Sequence, residues 1–170
     1  MIHQNFHPVT NSTNVIIQPM KGYIPFTPEG LEKIKEEKAI LLAKRPEAVQ
    51  NLRTAREMGD LSENAAYKVA RAKLSSIDSR LRHLDFLINC ARVSVVSNTG
   101  FVGIGSRVKL FDGKKQLDYK IVGSYESDPK ARKISHLSPI GKAIMGKRTG
   151  DTATVTSPGG LTSYSIISIT

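Results

Sequence analysis

Two acidic residues, Asp60 and Glu63, stand close together in an otherwise basic stretch of the chain, within Gly59-Asp60-Leu61-Ser62-Glu63-Asn64. One interpretation is structural, because acids at this spacing can form a capping box that accepts hydrogen bonds from free amides at a helix start. The other is chemical, because carboxylates are ligands for Mg²⁺, which takes six oxygens and usually binds one or two carboxylates with phosphates and waters. No other acidic cluster in the chain could complete that shell. A metal held here therefore needs ligands from another molecule.

Basic residues surround the acidic pair. Arg53, Arg56, Lys68 and Arg71 lie within about three helical turns of it along the chain. The whole sequence carries 25 Lys and Arg against 15 Asp and Glu, a net charge of +10. Mixed charge is ordinary on the solvated flank of a coiled coil. Basic residues crowding two acids nevertheless favour a partner that brings phosphate groups to this place.

Two helices are predicted on either side of the acidic segment. Thr27 is the expected N-cap of the first helix and Pro28 its first residue, with Phe26 packing across the cap onto Leu31. Pro46 is expected to break or kink this helix. In the second helix the apolar residues are alternately three and four positions apart, the period of a coiled-coil seam. They are Tyr67, Ala70, Leu74, Ile77, Leu81, Leu84, Ile88 and Ala91.

The two helices are joined at Gly59 with almost no loop, so they must run antiparallel. Arms of roughly 30 residues each predict a rod on the order of 45 Å long. The acidic segment, residues 59–64, lies at the tip of this rod. Asp60 and Glu63 are thus presented far from the rest of the protein.

The second half of the chain reads as a small twisted sheet. Apolar residues alternate with polar ones around 108–110, 119–121 and 164–166, and residues 141–145 suggest a short helix ended by Gly146. The predicted fold class is α+β: an N-terminal antiparallel α-helical coiled-coil hairpin followed by a small antiparallel β domain. The predicted divisions are a loose N-terminal extension over 1–26, the hairpin over 27–96 and the β-rich domain over 100–170.

Composition excludes several classes of site. The single cysteine, Cys90, excludes an internal disulfide and a multi-cysteine zinc site. The four histidines show no metal-ligand spacing; they are His3, His7, His83 and His136. No apolar run is long enough to cross a bilayer, and no secretory signal is visible, so no membrane partner is expected and a cytoplasmic location is favoured.

The segment from Arg56 to Asn64, followed by Tyr67, resembles the tip of the Gre transcript-cleavage factors, which are bacterial transcription elongation factors. The resemblance continues along the second helix, where it looks closer to the more basic GreB branch. It resumes in the second half of the chain in a series of short motifs: Ile121-Val122-Gly123, Asp128-Pro129, Ile134-Ser135, Ser138-Pro139-Ile140-Gly141, Gly146-Lys147, Gly150-Asp151 and Ser157-Pro158-Gly159-Gly160.

The resemblance implies a fold, a partner and an activity. Gre factors have an antiparallel coiled coil and an FKBP-like C-terminal domain that docks at the rim of the secondary channel of bacterial RNA polymerase. The coiled coil enters that channel, and its acidic tip helps the polymerase to cleave the nascent RNA 3′ end of a backtracked complex. Carried over by position, Asp60 and Glu63 share a Mg²⁺ of the polymerase active site. A protein of this kind is expected to be a monomer without enzymatic activity or a cofactor of its own.

Other residues are carried over from the family in two groups. The first group is expected to contact RNA or the channel, and consists of Arg56, Asn64, Tyr67, Lys68 and Arg71. The second is expected to face the polymerase where the β-rich domain docks, and consists of Asp128, Pro129, Ser138, Pro139 and Ile140.

One departure from the family pattern leaves alternatives open. The residue before Tyr67 is usually acidic in the family, and here it is Ala66. A channel-occupying regulator that inhibits without stimulating cleavage is therefore an alternative. A peptidyl-prolyl isomerase would need an aromatic-lined pocket, and the chain has no Trp. A general nucleic-acid binder would leave the acidic tip unexplained.

Overall fold

A computed structural model of the chain describes residues 22–58, 64–94, 100–157 and 160–170. Its first half is a pair of long helices, α1 (Pro28–Glu57) and α2 (Ala65–Cys90), flanked by the short strands β1 (Ile24–Phe26) and β2 (Ala91–Val93). The described residues of its second half form five strands and one α-helix: β3 (Arg107–Phe111), β4 (Gln116–Val122), β5 (Lys133–Ser135), α3 (Pro139–Ile144), β6 (Thr152–Ser157) and β7 (Gly160–Ile169). A short 3₁₀ helix, Ser124–Glu126, lies between β4 and β5. The predicted helical hairpin and small β domain are confirmed.

Helix α1 begins as its sequence predicts but continues where a break is expected. Thr27 is the N-cap, and its side chain accepts a hydrogen bond from the Gly30 amide at 3.1 Å. The helix runs without interruption through Pro46, so a break at this residue is wrong, while the alternative of a kink stays a prediction. Proline removes the amide that would bond the carbonyl of Leu42. Leu42 and Pro46 are both exposed, so water can satisfy that carbonyl while α2 supports the opposite face.

The apolar seam of α2 forms the core of the hairpin. Ala70, Ile77, Leu81 and Leu84 are buried as predicted. Leu84 packs in one cluster with Ile34 of α1, and Ile77 and Leu81 pack in another with Ala48 of α1. Two details differ near the base. Leu87 is buried at 2 % exposure beside the partly buried Ile88, and Ala91 starts β2 rather than continuing the helix. A straight helix drifts away from a strict 3.5-residue repeat, so the buried stripe is wider near the base, where Phe26 of β1 also packs against it.

Ion pairs along the hairpin show that its helices are antiparallel. Glu37 pairs with Arg80 at 2.7 Å near the base, and Arg45 pairs with Asp78 at 2.7 Å further along α1. The hydrogen bond from Arg80 lowers the pKa of Glu37, and the hydrogen bond from Arg45 lowers the pKa of Asp78. Both pairs are exposed, so they contribute little stability each but fix the register between the helices.

The expected loose extension over 1–26 is wrong for its last three residues. Ile24–Phe26 form β1, which pairs in parallel with β2, and the Phe26 side chain is fully buried against Ile34, Leu84 and Leu87. Leu31 packs against the same cluster, in agreement with the predicted contact across the helix cap. Burial of this large aromatic side chain draws the strand onto the base of the hairpin.

The C-terminal sheet has the strand order β5-β4-β3-β7-β6. Its pairs are antiparallel except β4 and β5, which are parallel, so the sheet is mixed rather than wholly antiparallel. Its core is built from buried residues of the strands, of α3 and of the segment before β3: Val102, Val108, Leu110, Ile121, Ile144, Ala153 and Ile166. The predicted short helix is present as α3, starting two residues earlier than expected. No helix among the described parts of the chain is long and apolar enough to span a membrane.

Candidate functional site

The two predicted metal-ligating acids, Asp60 and Glu63, lie outside the described residues. The structure describes the chain up to Met58 and again from Asn64. Met58 is the C-cap of α1 and Asn64 is the N-cap of α2. The acidic segment follows the first helix and precedes the second in the chain, so it connects the two helices. The position of the acidic segment at the tip and the roles of its side chains stay predictions.

Asn64 joins the two helices next to the acidic segment. It is the N-cap of α2, and its side-chain oxygen accepts a hydrogen bond from the Tyr67 amide at 3.0 Å. Its side-chain Nδ2 donates to the carbonyl of Ala55 on α1 at 2.8 Å. The helix start that a capping box would assign to Asp60 and Glu63 is therefore capped by Asn64. The amide of Asn64 is thus engaged within the hairpin, and the channel contact expected of Asn64 stays a prediction.

Cationic side chains cover the hairpin near the acidic segment. Arg56, Lys68 and Arg71 are exposed, and none of them forms an ion pair with a carboxylate in the described ranges. Arg53 is held by Glu57 at 3.3 Å. Residues 44–58 and 64–78 together carry seven Lys or Arg and three Asp or Glu. The far half of the hairpin is thus positively charged. Among the described residues, five of its seven cations have no carboxylate partner, because Lys44 and Lys73 are unpaired as well.

Tyr67 differs from these cations in its environment. Its side chain is partly buried, while the neighbouring Val69 is 68 % exposed and Met58 across the hairpin is 69 % exposed. The end of the hairpin therefore presents apolar surface as well as positive charge. Val69 and Met58 were not singled out by their sequence positions, because an apolar residue just outside a seam carries no signal of its own.

The described residues contain no group of three or more His, Cys, Asp or Glu that could hold a metal ion. His83 packs against the Tyr125 ring at 5.9 Å, and His136 Nδ1 lies 3.3 Å from the carbonyl oxygen of Val122. Cys90 is a partly buried free thiol. These side chains have structural surroundings rather than a shared site.

The predicted docking residues flank β5. Asp128 and Pro129 lie in an exposed loop before the strand, where Asp128 Oδ1 accepts from the amides of Lys130 at 3.0 Å and Ala131 at 3.3 Å. Ser138, after the strand, is the N-cap of α3 and donates to the Ser135 carbonyl at 2.7 Å.

The α3 residues predicted to dock divide between surface and core. Pro139 is exposed, whereas Ile140 packs against the core of the β domain. Leu137, which the sequence did not single out, is 54 % exposed beside them. The exposed surface at this end of β5 is therefore Leu137 and Pro139 more than Ile140.

A joint of polar and aromatic contacts connects the hairpin to the β domain. The Glu126 carboxylate accepts hydrogen bonds from the Thr27 amide at 2.9 Å, from the Thr27 hydroxyl and from the Gly123 amide at 3.1 Å. Tyr125 stacks on Phe26 at 6.3 Å.

A charged contact adds to this joint. Lys120 pairs with Glu29 of α1 at 2.5 Å, and its hydrogen bond lowers the pKa of Glu29. Sequence reasoning missed Glu126, although one signal existed. Gly30 occupies the position three residues after the N-cap, where a capping box would place Glu or Gln.

Comparison with known proteins covers both halves of the chain. Residues 24–93 match the family model for the N-terminal part of a transcription elongation factor, and residues 97–170 match the model for the C-terminal part of the GreA/GreB transcription elongation factors. The transcription elongation factor GreA of Mycoplasma capricolum is 44 % identical over 80 % of this chain and 90 % of its own length. The GreA of Rhodospirillum rubrum is 40 % identical over 84 % of this chain and 94 % of its own.

A solved structure, that of GreA factor homolog 1 from Thermus thermophilus, aligns over 87 % of this chain and 99 % of that chain at 25 % identity, with a TM-score of 0.41. That overlap is too low to carry a further comparison. The closeness of the coiled coil to the GreB branch stays a prediction. Because both halves match the family in order, and the relatives are aligned over most of their length, this chain belongs to the GreA/GreB family of transcription elongation factors.

Proposed function

We propose that this protein binds bacterial RNA polymerase, inserts its hairpin into the secondary channel and stimulates the polymerase to cleave backtracked RNA. The observation that carries the proposal is the family match over both halves of the chain, together with a long hairpin that ends in Asp60 and Glu63. Rescue of arrested complexes follows, because cleavage leaves a new RNA 3′ end that the polymerase can extend.

The shape of the hairpin supports insertion into a narrow space. Helix α1 has 30 residues, which corresponds to a length of about 45 Å. Two helices side by side are roughly 20 Å across. A rod of this length and width is suited to a deep, narrow channel, which the globular β domain is too wide to enter.

The charge of the hairpin supports an approach to RNA. Arg56, Lys68 and Arg71 are exposed and have no anionic partner in the part of the chain that the structure describes. Phosphate oxygens are the natural partners of such side chains, and contacts of this kind position a nucleic acid without reading its sequence. We assign these three residues to the nascent RNA 3′ end or to the polymerase beside it.

In this proposal the protein supplies ligands and the polymerase performs the reaction. Asp60 and Glu63 provide carboxylate oxygens, the ligand type that Mg²⁺ takes alongside phosphates and waters. When bound there, the ion would polarise the scissile phosphate and activate water. The two acids hold no ion of their own in the free protein. The protein acts as a monomer, because one hairpin fills one channel, and it works in the cytoplasm, where bacterial transcription takes place.

One observation favours a second candidate, a regulator that occupies the channel without stimulating cleavage. The first turn of α2 contains no acidic residue, and Ala66 stands where the family usually has one. A channel-occupying regulator would slow elongation by active polymerase and leave backtracked RNA intact.

Stalled polymerase complexes carrying end-labelled RNA distinguish the two candidates. We expect the wild-type protein to release short 3′ fragments. Asp60→Asn is expected to lower the cleavage rate by at least about a hundredfold, because a neutral amide is a poor magnesium ligand and the lost stabilisation is worth several kcal/mol. Its thermal stability should stay near that of the wild type.

Asp85→Asn is the matched control. Asp85 lies on the same hairpin and forms only a surface ion pair with Lys38, so cleavage should continue at the wild-type rate. Intact RNA in the presence of the wild-type protein would reject cleavage and support the channel-occupying regulator. Full cleavage with Asp60→Asn would reject the role of Asp60.

A further inference from the structure

The start of helix α1 has an incomplete cap of its own. Thr27 accepts from the Gly30 amide in the usual way. The amide of Thr27 itself needs an acceptor, which a capping box supplies from a Glu or Gln three residues into the helix. That residue here is Gly30, which has no side chain. The sequence of α1 alone therefore leaves the cap half finished.

Glu126 of the β domain completes this cap from the other half of the molecule. Its Oε2 accepts from the Thr27 amide at 2.9 Å, and its Oε1 accepts from the Thr27 hydroxyl. The two residues are 99 positions apart in sequence. The carboxylate also lies at the positive end of the α1 dipole, where a negative charge is favourable.

Gly30 is required for this arrangement. A Cβ atom at position 30 would lie 1.8 Å from Glu126 Oε1 and 2.1 Å from its carboxyl carbon. A second glycine serves the same joint, because a Cβ on Gly123 would lie 2.1 Å from the carbonyl oxygen of Pro25. Gly123 lets the backbones of the two halves come close together, and Gly30 leaves room for the carboxylate of Glu126.

The contacts of Glu126 lie at the base of the hairpin, and the acidic segment follows the other end of α1 in the chain. For a hairpin on the order of 45 Å long, a turn of 10° at its base displaces the tip by about 8 Å. Placement errors of about 1 Å at a reacting centre already cost large factors in rate. The direction of α1 relative to the β domain therefore decides where Asp60 and Glu63 arrive.

We propose that Glu126 is a positioning residue, which caps α1 in trans and thereby fixes the angle between the hairpin and the docking domain. Its effect on cleavage rests on the proposed function, whereas its effect on the angle does not. The carboxylate of Glu126 acts through the direction of the hairpin and touches neither RNA nor metal.

Distances between two spin labels test the angle without polymerase. Labels at Lys73→Cys on the hairpin and Lys114→Cys on the β domain, in a Cys90→Ala background, should give one narrow distance distribution in the otherwise wild-type chain. Glu126→Ala and Gly30→Ala are expected to broaden it, the first by removing the carboxylate and the second by displacing it. Glu126→Gln should keep it narrow, because Gln also completes a capping box. Glu36→Ala, at an exposed site on α1, is the control.

Cleavage assays with the same variants test the consequence. Glu126→Ala and Gly30→Ala should lower the cleavage rate at saturating factor by about tenfold or more. The concentration of each variant that gives half of its maximal cleavage rate should stay within about twofold of the wild-type value, because the docking surface is unchanged. Glu126→Gln should cleave at the wild-type rate. A narrow distribution with Glu126→Ala, or a broad one with full cleavage, would overturn the inference. If the wild-type protein fails to cleave, the proposed function fails, and the distance distributions still decide whether Glu126 fixes the angle.

Discussion

The amide of Asn64 bonds to both helices at the far end of the hairpin, beside the acidic segment. Its oxygen caps α2 and its nitrogen bonds a carbonyl of α1. Backbone amides at the start of a helix and carbonyls at its end have no partner within the helix. The Asn64 side chain pairs with one such amide of α2 and one such carbonyl of α1. It also holds the two helix ends at a fixed separation, immediately next to Glu63 in the sequence.

Replacing Asn64 should loosen the end of the hairpin. We expect Asn64→Ala to lower the free energy of unfolding by about 1 kcal/mol, through loss of the cap, and to speed hydrogen exchange of the Tyr67 amide. Asn64→Asp should keep the cap and lose only the bond to Ala55. Urea unfolding and amide exchange measure both effects.

Asn51→Ala supplies the comparison for this position. Asn51 is an exposed residue of α1, so its replacement should change the unfolding free energy by less than about 0.5 kcal/mol. Equal exchange at the Tyr67 amide in Asn64→Ala and wild type would show that the cap contributes nothing in solution.

At the scale of the element, α1 stays helical at Pro46, a residue that by itself disfavours a helix. Pro46 lacks an amide and is strongly unfavourable inside helices, yet α1 is unbroken across it. Ala48, two residues later, is 2 % exposed against Ile77 and Leu81 of α2. Packing along the seam outweighs the local preference, as is usual for helices in folded proteins.

Removing the proline should therefore stabilise the hairpin. Pro46→Ala is expected to raise the free energy of unfolding by up to about 3 kcal/mol. The substitution restores a backbone amide that can donate to the carbonyl of Leu42, and alanine favours the helix that α1 already forms. Thermal and urea unfolding measure the change. Glu47→Ala, at the neighbouring exposed position, should have an effect within about 0.5 kcal/mol. A destabilised Pro46→Ala variant would mean that the proline geometry is needed.

At the scale of the whole molecule, the hairpin and the β domain carry different parts of the proposed function. The hairpin holds the acids and the cations, and the β domain holds Asp128 and Pro129 in an exposed loop and Leu137 and Pro139 on the far side of β5. In the proposed function, docking would set where the base of the hairpin lies, and the joint at Glu126 would set the direction of its tip. Both would be needed before Asp60 and Glu63 could act.

The docking prediction is tested with a charge change that spares the loop. Asp128→Asn should weaken binding to polymerase by about three- to tenfold, with a reduced salt dependence, because interface charges act mainly through long-range attraction. The asparagine oxygen can still accept from Lys130 and Ala131. Binding titrations at two salt concentrations measure the effect.

Asp112→Asn is a closely matched control. Asp112 accepts from the amides of Lys114 and Lys115 in the same manner, but it lies in the turn between β3 and β4. Unchanged affinity in both variants would remove the Asp128 loop from the interface.

Much of this fold was predictable because its signals are local. Thr27 and Pro28 specify the start of α1 within one helical turn, and the 3.5-residue repeat from Ala70 to Leu84 specifies a two-helix seam. An acidic segment between two such helices has to lie at the end of the hairpin. The sequence by itself therefore determined the hairpin and the family, and it predicts that Asp60 and Glu63 lie at the tip.

Only the tertiary structure decided how the two halves meet. The pairing of β1 with β2 and the capping of Thr27 by Glu126 join residues that are distant in sequence. Such contacts leave no periodic pattern, because each depends on surfaces that exist only after both partners have folded. Gly30 illustrates the difference. From the sequence alone it is a residue that disfavours the helix. In the structure, its lack of a side chain leaves room for the carboxylate of Glu126.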